Sequence, residues 1–403
     1  MTDFFQNGVV TTLHNLTERS VEELERELMI YRQRCPMGLV IPCLYSELGT
    51  PALASIVDTL CQVEYLEEII IGLDRADEDQ FRHAREYFSR LPQQHRILWH
   101  DGPVMKSLAR TLGEQHLAPE EPGKGRNVWY CIGYLLAAGR SRIMAVHDAD
   151  IITYDRGLLA RLLYPTAQPH FSYTFCKGYY ARFSENRLNG RVCRLLVTPL
   201  LRALRRIFDP VPYLEYLDSF RYPLSGEFSI KTYALQDLRI PCDWGLEIGI
   251  LSEVYRNYST KRLCQVEISH RYDHKHQELS EQDFERGLAR MSNDICKAVF
   301  RKLATLGYVF SPGTFRTIKA TYYRIALDFI RSYYHDARMN GLRLDRHEEE
   351  KAVEVFAESI MRAGDTFLEN PMETPFIPSW DRVSSALPEF YEELYSLVEE
   401  DND

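Results

Sequence analysis

Met144-Ala-Val-His-Asp-Ala-Asp150 is an apolar run that ends in two aspartates one residue apart. Apolar residues bounded in this way predict a buried parallel strand. In open α/β sheets, ligands gather at the carboxyl ends of such strands. Residues i and i+2 of a strand share a face, so Asp148 and Asp150 are expected to converge on one divalent cation. Hard carboxylate oxygens suit Mg²⁺ or Mn²⁺. The competing reading is an ordinary strand-end turn whose aspartates cap the next helix.

Outward from this stretch, strand and helix patterns alternate. Met37–Leu44 reads as a first strand, Thr50 to about Cys61 as a helix, and Leu66–Leu73 as a second strand ending at Asp74. Residues 78–91 read as a helix, Arg96–Trp99 as a short strand, Lys124–Ala138 as a helix and 142–147 as the strand before the aspartates. A polar helix over 17–34, opened by Thr17-Glu-Arg-Ser20, precedes them. Such alternation predicts βαβ units and a mostly parallel, Rossmann-like sheet with flanking helices. We read residues 1–35 as an N-terminal helix and 36–280 as one nucleotide-binding α/β domain. Residues 281–306, 315–340, 346–364 and 384–399 have helical periodicity, so 281–403 is expected to be a helical region that packs on the core or joins two copies in a homodimer. No internal repeat is visible.

At 403 residues, with 45% hydrophobic and 26% charged side chains, the chain can bury a large core. Its net charge of −10 argues against nucleic acid or an anionic membrane as a partner. No apolar run approaches the roughly 20 residues of a membrane span, and the N-terminus carries no secretory pattern. Nine cysteines, an odd number without a CxxC pair, fit reduced thiols in the cytoplasm.

Five further segments carry chemistry. In Pro122-Gly-Lys-Gly-Arg-Asn127, glycines flank Lys124 at a helix N-terminus, where anions bind. The spacing is not that of a P-loop. A lysine and a metal one helix apart suit one diphosphate. In Ser184-Glu-Asn-Arg-Leu-Asn-Gly-Arg191, Arg187 and Arg191 flank a Gly at the start of a helix over Val192–Leu201, a second place for an anion. Pro223-Leu-Ser-Gly-Glu-Phe-Ser229 is a Gly-containing loop that either passes close to a sugar or makes a tight turn. After Asp243, read as an N-cap, Glu247 shares a helix face with Ile250, Leu251 and Val254. A carboxylate on an apolar face is costly without a partner, which makes Glu247 a site candidate. Ser269-His-Arg-Tyr-Asp-His-Lys-His276 is dense in imidazole and cations for so acidic a chain.

In their order, Pro42-x-Leu44, Gly-Lys-Gly, Asp-x-Asp, Lys177-Gly-Tyr, Gly190-Arg-Val, Leu-Ser-Gly-Glu, Gly-Leu-Glu-Ile-Gly and the late histidine resemble the glucosyl-3-phosphoglycerate synthases, retaining glycosyltransferases of the GT-A fold. The resemblance spans roughly 36–280. It implies transfer of glucose from a nucleotide sugar, UDP- or GDP-glucose, to 3-phosphoglycerate. It further implies that Pro42, Leu44 and Glu47 hold the nucleoside, with Asp74 near its base or ribose and Lys124 on the diphosphate. Asp148 would lie near the ribose or the metal, Asp150 would ligate the metal, and His274 would be its distant ligand. Gly190 and Arg191 would bind the acceptor's phosphate or carboxylate, with Arg187, Arg271 and His276 as further acceptor candidates and Lys275 adding positive charge. Leu224, Gly226 and Glu247 would line the glucose and acceptor pocket.

Three positions depart from the family pattern. The first loop, Pro42-Cys-Leu-Tyr-Ser-Glu47, has an extra residue, the acceptor loop has Cys193 in place of a threonine, and His276 replaces an asparagine. Rival readings are a related transferase using mannose or glycerate, and a non-catalytic nucleotide-sugar-binding protein.

Overall fold

The computed structural model describes residues 6, 8–16, 19–119, 121–273, 287–371 and 376–403. In chain order its first half contains β1 (Thr11–Leu13), α1 (Val21–Arg32), β2 (Met37–Leu44), α2 (Pro51–Leu60), β3 (Leu66–Asp74), α3 (Glu78–Phe88), β4 (Gln94–Trp99), α4 (Pro103–Glu114), α5 (Lys124–Ala138), β5 (Ile143–Val146) and α6 (Arg156–Ala167). Then come β6 (Phe175–Ser184), β7 (Arg187–Leu188), α7 (Thr198–Phe208), α8 (Pro212–Asp218), β8 (Phe228–Lys231), α9 (Leu246–Asn257) and β9 (Leu263–Tyr272). The chain closes with α10 (Gly287–Thr305), α11 (Pro312–Met339), α12 (Arg346–Glu369), α13 (Trp380–Ala386) and α14 (Phe390–Asn402).

Among the described residues the strands form one sheet in the order β1-β9-β6-β8-β5-β2-β3-β4, with β7 paired to β6. Only β8, against β5 and β6, and β7 run antiparallel to their neighbours. Alternation along the parallel strands divides the core. Val40, Ile70, Leu98, Met144 and Val146 join one cluster, and Leu39, Ile41, Ile69, Ile71, Ile97 and Ile143 join the other. The first cluster runs without a break into Phe300, Phe315, Phe356, Trp380 and Phe390 of the C-terminal helices.

Helix α5 is buried on nearly every side, so it reads as apolar all round. Its Gly133 makes room for Trp380, because a Cβ there would stand 2.0 Å from the indole. That indole stacks on Trp129 at 4.2 Å. At the last strand of the sheet, Asn402 of α14 accepts from Ile97 N at 2.8 Å and donates to Ile97 O at 2.9 Å. Glu399 pairs with Arg96 at 2.6 Å beside it. No helix among the described residues is long and apolar enough to cross a membrane.

Four sequence expectations are corrected. Helix α1 begins at Val21, capped by Ser20, whose side chain accepts from Glu23 N, and it ends at Arg32, ahead of 34. Strand β5 stops at Val146, so the aspartates lie on the following turn and the strand argument for their common face fails. The inside–outside alternation nevertheless continues, with His147 and Ala149 buried and Asp148 and Asp150 half-buried. The helix expected over 192–201 opens as a π-helical segment, Val192–Val197, before α7. Finally, Gly245 caps α9, and Asp243 supports it by accepting from Gly245 N at 2.8 Å.

Candidate active site

The Gly-Lys-Gly segment is shaped by backbone packing. A Cβ on Gly125 would lie 2.0 Å from Pro241 O, and one on Gly123 would lie 2.7 Å from Cys242 O. Only glycine permits this approach, which draws the first turn of α5 against the chain leading into α9. Lys124 Nζ thereby lies 2.6 Å from Asp148 Oδ1 and 3.2 Å from Glu247 Oε1. Burial opposes its charge, but Asp148 and Glu247 outweigh that effect and hold the ammonium above the usual lysine range.

Gly226 seals this group from below. A Cβ there would meet Asp148 Oδ2 at 2.7 Å and Lys124 Nζ at 2.8 Å. The next residue, Glu227, is fully buried and satisfied by hydroxyl donors: Tyr180 at 2.9 Å, Ser225 at 2.7 Å and Tyr272 at 2.6 Å. Tyr180 and Tyr272 stack with centroids 3.6 Å apart. Lys177 is buried as well, and among the described residues its Nζ has no hydrogen-bond partner. Desolvation lowers it to about 8, against attraction from Glu247 and Glu227.

The rest of the α5 N-terminus faces β3. Arg126 pairs with Asp74 Oδ1 at 3.1 Å, and Asn127 Nδ2 donates to Asp74 Oδ2 at 2.8 Å. In register, Leu44 stands opposite Asp74 and Pro42 opposite Gly72, at the carboxyl ends of β2 and β3. Leu44 N donates to Glu47 Oε2 at 3.2 Å. Burial, then the charges of Glu47, Asp74 and Asp150, push the Cys43 thiol well up. Pro42, Leu44 and Asp74 thus lie at the carboxyl ends of β2 and β3, with Glu47 bonded to Leu44 N. Arg126 and Asn127 join Asp74 to the helix N-terminus that brings Lys124 to Asp148 and Glu247.

The acceptor candidates are arranged differently. Gly190 has φ +74°, the left-handed region that favours glycine, and faces Tyr222, whose hydroxyl accepts from Arg182 at 3.1 Å. Arg191 Nε donates to Glu349 Oε1 of α12 at 2.9 Å. Arg187 is exposed on β7, where it bridges Arg343. Arg271 is exposed too, with its guanidinium 5.8 Å from the Phe183 ring centroid. Leu224 packs half-buried on the large core cluster. The expected cations are thus not one bare positive patch, since Lys124 and Arg191 are each held by carboxylates.

His274, Lys275 and His276 lie outside the described residues. The chain just before them is anchored beside the aspartates: Ile152 N donates to Asp273 O at 2.9 Å, and Asp273 N donates to Thr153 Oγ1 at 3.1 Å. Among the described residues no three His, Cys, Asp or Glu side chains form a group able to hold a metal ion. The donor set on the turn, two half-buried carboxylates, is of the hard-oxygen type that Mg²⁺ and Mn²⁺ prefer. Lys177, the hydroxyl set around Glu227, and Arg126 with Asn127 were not singled out from the sequence. All three sit inside or beside motifs quoted for the resemblance, Lys177 in Lys177-Gly-Tyr, but for Lys177 only its burial shows a role at the site.

No protein-family model matches the chain. A glucosyl-3-phosphoglycerate synthase of Persephonella marina is 46% identical over 402 residues, 100% of this chain and 99% of the relative. One of Methanococcoides burtonii is 38% identical over 397 residues, 98% of this chain and 96% of the relative. Among solved structures, the Mycobacterium tuberculosis glucosyl-3-phosphoglycerate synthase in complex with Mn²⁺, UDP and glucosyl-3-phosphoglycerate superposes with a TM-score of 0.54 at 21% identity. That match covers 73% of this chain and 88% of the other and supports the GT-A fold. By its full-length identity to these relatives, the chain belongs to the glucosyl-3-phosphoglycerate synthase family.

Proposed function

We propose that this protein transfers glucose from a nucleoside-diphosphate glucose to 3-phosphoglycerate with retention at the anomeric carbon. The observation that carries the residue roles is the Lys124 ammonium, held between Asp148 and Glu247 at the carboxyl end of the parallel strands. Pro42, Leu44, Glu47 and Asp74 seat the nucleoside, and Lys124 meets the diphosphate. Asp148 and Asp150, with His274, hold Mg²⁺ or Mn²⁺. The ion supplies Lewis-acid neutralisation of the charge that grows on the departing diphosphate.

Lys124 adds a fixed positive charge to the same oxygens, in a site that needs no reorganisation as the bond breaks. Leu224, Gly226 and Glu247 line the sugar pocket, where Glu247 orients hydroxyl groups. Gly190 and Arg191, with Arg187, Arg271 and His276, take the acceptor's phosphate and carboxylate. The acceptor hydroxyl then attacks from the face the diphosphate leaves, and a diphosphate oxygen takes its proton. Bringing both anions to one geometry is the proximity contribution.

The experiment is a split of Michaelis constants. A charged hydrogen bond is worth about 1.5–3 kcal/mol, or about tenfold to a hundredfold. Arg191→Ala should raise KM for 3-phosphoglycerate by that factor and leave the donor's nearly unchanged, and Lys124→Ala should do the reverse. Equal effects of Arg191→Ala on both substrates would refute the division. Nine unpaired cysteines support a reducing, cytoplasmic setting, and pairing of two copies through the C-terminal helices is tested by solution mass.

A further inference from the structure

The loop Leu188–Arg191 is held from α12 by one carboxylate. Glu349, with a side chain 4% exposed, accepts from Arg191 Nε at 2.9 Å through one oxygen and from Arg194 Nη1 at 2.8 Å through the other. Arg194 then clamps the loop itself, donating from Nε to Asn189 O at 2.8 Å and from Nη2 to Leu188 O at 3.4 Å. Its guanidinium lies 4.8 Å from the Tyr333 ring centroid, so α11 backs it. Two guanidinium groups three residues apart would repel each other; the shared carboxylate offsets this and leaves the trio with one net positive charge.

The way Arg191 is tied matters. A guanidinium has two edges that can fork a carboxylate or phosphate, one made by Nε and an Nη, the other by both Nη atoms. Glu349 takes Nε, and among the described residues the Arg191 side chain makes no other hydrogen bond. Its side chain remains 32% exposed. The edge made by both Nη atoms is therefore free, and its direction is set by the contact at Nε.

We propose that Glu349 is a positioning residue of the transfer reaction. It aims the free fork of Arg191 at the acceptor's anionic group, while Arg194 holds the loop backbone in register. The C-terminal helices thereby complete the acceptor site instead of only packing beneath it. This inference rests on the reading of Arg191 as an acceptor residue.

Glu349→Gln keeps the shape but removes the charge that orders both guanidinium groups. It should raise KM for 3-phosphoglycerate about tenfold while the donor KM stays within about twofold. In an Arg191→Ala background the same substitution should add much less to the acceptor KM, since only its hold on Arg194 is left to lose. An unchanged acceptor KM, or an equal rise with and without Arg191, overturns the inference. If Arg191→Ala itself leaves the acceptor KM unchanged, the reading of Arg191 fails first and the inference with it. A structure of the wild-type protein with 3-phosphoglycerate decides independently of folding in the variants. The acceptor on the Nη edge with Nε still on Glu349 supports the assignment, and Glu349 displaced from Arg191 overturns it.

Discussion

Lys124 Nζ stands 2.6 Å from Asp148 Oδ1, so the cation that opens α5 and the first carboxylate after β5 meet although a helix and a strand separate them in the chain. The contact leaves no space for a side chain at residue 226, where a Cβ would lie 2.7 Å from one partner and 2.8 Å from the other.

Gly226→Ala therefore separates stability from function. The methyl group meets the far ends of two side chains, which can swing away, so melting temperature should change little. The displaced pair should cost turnover on the order of a hundredfold, the scale of a 1 Å misplacement. Gly125→Ala meets backbone at 2.0 Å and should instead lose about 1–3 kcal/mol or more of stability. A thermal melt beside a rate assay on each variant checks both halves.

Lys177→Met should make the protein more stable at neutral pH. The folded-state value near 8 lies below the ordinary lysine value of about 10.4. The folded chain thus binds fewer protons than the unfolded one between these limits, and wild-type stability rises with pH across that window. Below it the buried charge costs on the order of 3 kcal/mol, at about 1.4 kcal/mol per pH unit. Denaturant melts at pH 7 and pH 9.5 should show a gain for the variant that shrinks at the higher pH. A destabilised variant at pH 7 would mean that Glu227 and Glu247 depend on the ammonium more than desolvation penalises it.

Removal of divalent cations should abolish turnover, and added Mn²⁺ or Mg²⁺ should restore it. Asp150→Ala should lose most activity with an unchanged far-UV spectrum, because Asp150 is half-buried on a turn and supports no strand. Full activity in excess EDTA would refute the metal assignment.

Glu247→Gln tests whether that carboxylate orients or attacks. Breaking a buried ion pair from one side costs about 3–5 kcal/mol, but here Lys124 keeps Asp148, so the loss of stability should be smaller. A folded, slower and still retaining enzyme is expected. A glycosyl adduct trapped on Glu247 of the wild type would overturn the front-face route.

Local signals made much of the fold legible. Runs such as Leu39-Val40-Ile41 and Ile69-Ile70-Ile71 are buried on both faces, and the ranges read for β2 and α5 match the structure. What escaped has no local signal. β1 is three residues long and is defined only by pairing with β9. The π-helical turn at 192–197 keeps an apolar helical pattern, so periodicity cannot separate it from an α-helix. At the site, Lys124, Asp148 and Glu247 could be picked out because glycines, paired aspartates and a charge on an apolar face are visible in sequence. Glu349 and Arg194 could not, for their partnership spans most of the C-terminal half.

The two hydrogen bonds between the Asn402 amide and Ile97 imitate the pairing of one more strand. Helix α14 thus blunts an edge that would otherwise offer open N–H and C=O groups to another molecule. Shortening the chain by that last helix should therefore produce a protein prone to assemble edge to edge and lose solubility, even where its chemistry survives in the fraction that stays dispersed.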